Sequence, residues 1–287
     1  MSDSAAVRLR EMLAAVGRPV CAAGAHNGLG AVLAERAGYD AVWASSFEIS
    51  ASFGLPDVGL LGLPEFLHIA QMMVEVTALP VIADCDTGFG NDLNIAQAVR
   101  RYETAGVAAV CFEDKVFPKV NSFAGVRQLL APADEFAHRI RTAKAVRRRS
   151  ELVVIARTEA LIAGAGMQEA LRRADAYADA GADVLLIHSK SRGPEEVEEF
   201  LARWGRRLPV AVVPTTYYDW TVRDAQDCGV RLVIHANHGL RAGITAVART
   251  FETILADGSS RRVESEIAGL KEVFDLQRMD EWMALEQ

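Results

Sequence analysis

The sequence predicts an α/β chain folded as a closed (β/α)8 barrel, and three observations point there. Its 287 residues suit one such barrel, for which about 250 residues is typical. Eight apolar runs of strand length alternate with segments of helical periodicity. One local pattern also recurs. RAGYDAVWAS, TAGVAAVCFED, DAGADVLLIHS and DCGVRLVIHAN each pass from a helix end through Gly into an apolar run that closes on a polar residue. A doubly wound open sheet shares the alternation, but eight units in one chain favour closure.

The strands are expected at 19–24, 40–46, 80–86, 108–114, 152–158, 183–189, 209–215 and 231–237. Their runs are apolar almost throughout, as parallel strands covered on both faces must be. Gly38, Gly106, Gly181 and Gly229 stand just after helices, where a left-handed residue ends the turn and a Cβ would clash. Ile95, Val99 and Tyr102 form one stripe on a helix over 94–105. Ala170, Leu171, Ala174, Tyr177 and Ala178 do so over 167–180. Pro194 opens a further helix carrying Val197, Phe200, Leu201 and Trp204, since proline is tolerated in a first turn. No Pro-, Ser- or Gly-rich linker divides the chain, so residues 1–260 read as one catalytic barrel. Residues 261–287 read as a helical tail, and Val273, Phe274, Leu276 and Trp282 make it apolar enough to pack on another subunit.

Composition excludes several functions. A net charge of -7 argues against nucleic acid, whose phosphates need clustered Lys and Arg. Arg147, Arg148 and Arg149 read instead as a solvated helix end, where cations are favoured. Cys21, Cys85, Cys111 and Cys228 form no CxxC pair and read as reduced thiols. The N-terminal stretch lacks the apolar core of a signal peptide, and no run approaches the ~18 apolar residues of a membrane span. The expectation is a cytoplasmic enzyme acting on a small molecule, with no membrane or nucleic-acid partner.

In a barrel the working residues sit at the C-terminal ends of the strands. Those ends carry Ser45 and Ser46, Asp84 and Asp86, Glu113, Arg157 and Glu159, His188, Thr215 and Asn237. Buried carboxylates must pair, protonate or bind a cation. Asp84, Asp86 and Glu113 come from adjacent strands, and hard oxygen ligands of this kind suit Mg²⁺ or Mn²⁺. Ion pairs to Lys115, Lys119 and Arg157 are the competing account. In ADCDTGFGN the Asp-x-Asp spacing aims two carboxylates the same way, and Gly88 and Gly90 would let the loop approach a ligand closely. EDKVFPKVNS leaves its strand with an acid and crosses a polar loop bearing Lys119, Asn121 and Ser122, which reads as a lid. Arg157 wants a bidentate anion, either Glu159 or Glu113 or a substrate group. His26, His235 and His238 read as structural.

WASSFEISASFGLPD, VIADCDTGFGN, FEDKVFPKVNS, VIARTEALIAG, LLIHSK, VVPTTYY and HANHGLRA together resemble the phosphoenolpyruvate mutase branch of the isocitrate lyase superfamily, from about residue 18 to the C-terminus. The resemblance implies a (β/α)8 barrel with a swapped C-terminal helix, in dimers paired as tetramers. It implies Mg²⁺ held by Asp84 directly and by Asp57, Asp86 and Glu113 through water. It places Trp43, Ser45 and the backbone N–H groups of Ser46 and Phe47 at the substrate, and Arg157 and His188 at its phosphoryl end. Lys119, Asn121 and Ser122 would lie on a gating loop, with Asn121 beside the migrating phosphoryl group. The implied reaction interconverts phosphoenolpyruvate and phosphonopyruvate.

The chain departs from that pattern twice. Ser46 stands where the mutases carry Gly, and FAGVRQLLAP after Ser122 is about two residues short and lacks their Asp-Gly-Arg. Phosphonopyruvate hydrolase is the nearest alternative, but it typically carries Thr at Asn121. A carbon–carbon lyase would need a Lys-x-Cys-Gly-His loop, and PKVNSF has neither Cys nor His.

Overall fold

The computed structural model describes residues 4–205 and 207–286. Eight strands run in order: β1 (Val20–Ala25), β2 (Ala41–Ala44), β3 (Val81–Asp84), β4 (Ala109–Glu113), β5 (Val153–Thr158), β6 (Val184–Ile187), β7 (Val210–Val212) and β8 (Leu232–His235). They form a closed barrel in sequence order. Every pair is parallel, and β1 returns to β8 with Val20 opposite Leu232. Each strand lies within one residue of its expected range. β2, β3, β6, β7 and β8 stop two or three residues early, because the chain leaves the ladder as soon as its polar residues turn over the mouth. Ser45 shows this locally: its Oγ accepts from the Glu48 N–H, so it caps a helix instead of ending a strand.

The period-two alternation of strands sorts their side chains into two cores. Trp43, Ile82, Cys111, Ile155, Leu186 and Ile234 belong to the cluster filling the barrel, together with Leu9 and Leu13. Val42, Val110, Phe112, Val154, Leu185 and Ile187 face outward against Ile95, Tyr102, Phe136, Tyr177 and Phe200 of the surrounding helices. Leu9 and Leu13 come from α1 (Ala5–Ala14), which floors the barrel. Arg10 bonds the carbonyls of Glu151 and Leu152, and Arg231 bonds that of Leu13.

The outer layer comprises α2 (Gly28–Arg36), α3 (Ser46–Ser52), α4 (Leu63–Val76), α5 (Asp92–Thr104), α6 (Ala133–Val146), α7 (Met167–Asp179), α8 (Glu195–Trp204) and α9 (Val222–Asp227). Gly38, Gly106, Gly181 and Gly229 have φ of 83°, 82°, 93° and 85°, the left-handed geometry expected after a helix. Pro194 is the N-cap residue of α8, just before the first turn. The Arg147–Arg149 run ends α6, and Glu103 accepts the N–H groups of Arg148 and Arg149.

α10 (His238–Asp257) breaks the pattern, because none of its residues is buried. Ile244, Val247, Phe251 and Leu255 are all exposed along it. The tail is only partly helical, in α11 (Leu270–Leu276) and α12 (Met279–Met283). It lies back on its own chain, with Glu272 paired to Arg36 of α2 at 3.7 Å. Past its first turn, which meets β1 at the mouth, α10 therefore carries the exposed apolar stripe, on the barrel side of the boundary expected at residue 260. Among the described residues no helix is long and apolar enough to cross a membrane.

Candidate active site

The loops at the C-terminal mouth enclose a cavity of about 270 Å³. Its lining includes Trp43, Ser45, Ser46, Phe47, Asp57, Asp84, Glu113, Lys119, Asn121, Ser122, Arg157, His188, Thr215 and Asn237. The strand-end residues singled out in the sequence thus converge on one site. Asp86 and Glu159 stand behind its wall. Asp86 is held at φ 50°, a region that non-glycine residues seldom occupy and that concentrates at functional sites.

Gly88 and Gly90 do not face the cavity. A Cβ on Gly88 would stand 2.3 Å from Ile95 Cγ1, and one on Gly90 2.5 Å from Asn94 Oδ1. These glycines let the loop pack on its own helix α5, and neither lines the cavity. The carboxylates do bear on the site, and they meet cations of the chain itself. Lys119 Nζ lies 2.7 Å from Asp57 Oδ1 and 2.9 Å from Asp86 Oδ1. Glu113 lies 3.9 Å from Lys115 and 3.4 Å from Arg157. The ion pairs weighed against a metal are therefore present.

They do not balance the charge. Asp57, Asp84, Asp86, Glu113 and Glu159 are all buried, against the cations of Lys115, Lys119 and Arg157, which would leave a surplus of two negative charges with all five ionised. Burial pushes Glu113 up to about 7 against the pull of Lys115 and Arg157. It pushes Asp86 up to about 6 against Lys119. Asp57 Oδ1, Asp86 Oδ1 and Glu113 Oε1 are buried without an aligned hydrogen bond. Among the described residues no three His, Cys, Asp or Glu side chains form a ready chelate. A hard divalent cation that keeps much of its water matches this arrangement, since it needs few direct ligands and neutralises two charges. The residues fit Mg²⁺ on those grounds.

Glu159 organises the opposite wall. Burial alone would raise it, but Arg157, His188 and Lys115 hold it well below the usual carboxylate range. Its Oε1 accepts from Arg157 Nε at 2.5 Å and its Oε2 from Ser122 Oγ at 2.6 Å. Lys115 Nζ is 3.2 Å away. Glu159 is thus the carboxylate partner of Arg157, leaving the outer edge of the guanidinium to the cavity. His188 Nδ1 stands 2.8 Å from Glu159 Oε1 and 2.8 Å from Arg157 Nη2. Burial lowers the imidazole below its ordinary value. Nδ1 thus meets an acceptor in Glu159 and a donor in Arg157, and the tautomer of the ring decides which of the two it bonds.

The loop between β4 and α6 folds over these groups. Its base is closed by an antiparallel bridge of Lys115 to Leu130. Ser122 is committed at both ends, accepting from Lys115 Nζ at 2.7 Å and donating to Glu159, so it anchors the loop. Asn121 Nδ2 donates to Asp57 Oδ2 at 2.8 Å. Phe123 and Arg241 also line the cavity and had no assigned role in the sequence. Phe123 packs edge-on against His188 at 5.7 Å. Arg241 had one available signal, its place in the first turn after β8. His26, His235 and His238 lie outside the lining, and His26 faces Glu48 at 3.5 Å.

A family model described as Phosphoenolpyruvate phosphomutase matches residues 9–255. The chain belongs to the phosphoenolpyruvate mutase family. That span runs from α1 into α10, so membership in the phosphoenolpyruvate mutase branch of the isocitrate lyase superfamily covers the whole barrel and every strand end at the site. A solved phosphoenolpyruvate phosphomutase from Streptomyces platensis subsp. rosaceus is 55% identical with a TM-score of 0.96, covering 98% of each chain. A phosphonopyruvate hydrolase from Variovorax sp. (strain Pal2) is 43% identical over 272 residues, 94% of each chain. A solved phosphonopyruvate hydrolase in complex with oxalate and Mg++ is 41% identical with a TM-score of 0.93, covering 99% of this chain and 98% of that one.

Proposed function

We propose that this chain is a Mg²⁺-dependent phosphoenolpyruvate mutase, with Mn²⁺ as a substitute, interconverting phosphoenolpyruvate and phosphonopyruvate. The observation that carries the reading is the loop drawn down on Asp57 by Lys119 and Asn121, which sets the Asn121 amide in the cavity wall with Arg157 and His188. The 55% identity to the Streptomyces platensis mutase supports it.

The reaction moves a phosphoryl group between the oxygen and the methylene carbon of one bound pyruvate enolate. The old P–O or P–C bond breaks, the other forms, and no proton is exchanged with solvent. Such a transfer rests on positioning, cationic stabilisation and exclusion of water. Arg157, braced by Glu159, presents guanidinium N–H groups to the phosphoryl oxygens. Asn121 adds an amide donor beside them, and the closed loop keeps water from phosphorus. The Phe47 N–H lies in the first turn of α3, where backbone donors lack helical acceptors, and can receive the carboxylate. Asp84, with Asp57, Asp86 and Glu113 around it, would hold the divalent ion, which when bound stabilises negative charge on the substrate's oxygens.

Phosphonopyruvate hydrolysis is the second reading, favoured by the 43% identity to the Variovorax hydrolase over nearly the full chain. ³¹P NMR of the purified protein with Mg²⁺ and phosphonopyruvate separates the two. Phosphoenolpyruvate as the main product supports the mutase, and phosphate with pyruvate replaces it by the hydrolase. The expected assembly is a homotetramer built as a dimer of dimers. It is supported by α10, whose apolar stripe of Ile244, Val247, Phe251 and Leu255 is exposed on its own chain.

A further inference from the structure

Three elements meet at the hydroxyl of Ser46, a residue only 1% exposed at the start of α3. Ser46 Oγ donates to Asp84 Oδ2 at 2.8 Å. Lys119 Nζ, from the loop between β4 and α6, donates to Ser46 Oγ at 3.2 Å. A hydroxyl carries one donor and two acceptor sites, so it can take the ammonium and hold the carboxylate at once. Lys119 and Asn121 otherwise bond to Asp57, and Lys119 also faces Asp86. Among the described residues Ser46 makes the one hydrogen-bonded link from this loop to Asp84.

We propose that Ser46 is a positioning residue that couples closure of the loop to the orientation of the Asp84 carboxylate. The Ser46 N–H also points at Asp84 Oδ2, at 3.4 Å, so that oxygen is held from one side by backbone and hydroxyl together. The other oxygen stays available to a cation. Glycine at this position would keep the backbone donor and lose the relay, so the loop and the carboxylate respond to each other through a contact that the hydroxyl makes. The inference rests on the reading of Asp84 as the carboxylate that holds the divalent ion.

The test uses the full-length protein and two hydroxyl-free variants, Ser46→Ala and Ser46→Gly, with thermal melts to confirm folding; if one fails to fold, the other serves. Two quantities are measured without substrate. The first is tryptic cleavage after Arg127, exposed on the loop, in metal-free protein. The second is Mn²⁺ affinity, from the free-ion EPR signal. Cleavage about tenfold faster is expected from losing a hydrogen bond to a charged group, and Mn²⁺ binding about tenfold weaker, the size seen when a partner orienting a metal ligand is lost. Cleavage and affinity both within about twofold of wild type, or a change in only one of them, overturn the coupling. If wild type itself binds no Mn²⁺, the metal-dependent reading of the site fails. Loop cleavage alone then decides whether Ser46 latches the loop.

Discussion

The Asn121 side chain donates from Nδ2 to Asp57 Oδ2 at 2.8 Å, and its backbone N–H bonds the Asp57 carbonyl at 3.1 Å. The two residues belong to loops that follow different strands, so this double contact sews one side of the mouth to the other. The amide oxygen is also engaged, accepting from the Phe123 N–H at 3.0 Å. One N–H of the amide remains for the cavity that Asn121 lines.

Losing a hydrogen bond to a charged group costs about 1.5–3 kcal/mol, and the loss appears in turnover if the bond forms in the transition state. Asn121→Ala should therefore lower turnover of phosphonopyruvate at least about tenfold. Asn121→Thr leaves a smaller side chain with one hydroxyl and room for water, and it should raise the ratio of phosphate to phosphoenolpyruvate. ³¹P NMR of wild type and both variants measures that ratio. An identical ratio in all three would mean that Asn121 does not govern the partition.

Asp84→Ala should abolish turnover while leaving the far-ultraviolet circular dichroism spectrum unchanged. It should also remove any rise in Tm caused by Mg²⁺, because a ligand that binds only the folded state stabilises it by mass action. Turnover that survives excess EDTA in wild type would contradict the metal assignment.

The raised carboxylates set a pH dependence of known sign. Glu113 holds its proton up to about 7 in the folded chain, whereas the unfolded chain releases it near the ordinary glutamate value. The folded state therefore binds more protons in that window, and this residue's contribution to stability falls as pH rises through it. Without metal, Glu113→Gln should gain Tm relative to wild type as pH goes from about 5 to about 8. Mg²⁺ should reduce that gain at the alkaline end, where cation replaces proton. A Tm difference independent of pH in metal-free protein would refute this account of Glu113.

Glu159→Gln removes the charge that compensates Lys115 and Arg157 in a fully buried setting. Breaking a buried pair from one side typically costs about 3–5 kcal/mol. Urea unfolding should show a loss of that order, and a loss under about 1 kcal/mol would show that water compensates the site.

On α10, Phe251→Glu places a charge in the middle of the exposed apolar stripe. If that stripe packs on a second copy, light scattering should report a smaller assembly than wild type. An unchanged mass would place the subunit contact elsewhere.

The barrel was legible because local physics repeats along the chain. An apolar run covered on both faces must stop where polarity begins, so the runs ending at Asp84, Glu113, Arg157 and His188 marked both the strands and the mouth they open onto. The four glycines after helices were legible for a similar reason, since a left-handed residue is a local demand. The tertiary structure alone decided which charges pair. Lys119 reaches Asp57 across 62 residues of sequence, and Glu159 gathers Arg157, His188, Lys115 and Ser122 only because the loop folds back over β5. Gly88 and Gly90 showed the same limit: their spacing suggested a ligand, and packing against α5 explained them. The place of α10 was hidden as well, because an amphipathic helix has one pattern whether its apolar face meets its own barrel or a neighbour. Periodicity belongs to the chain, whereas pairing, burial and the resulting protonation depend on the distances that folding creates.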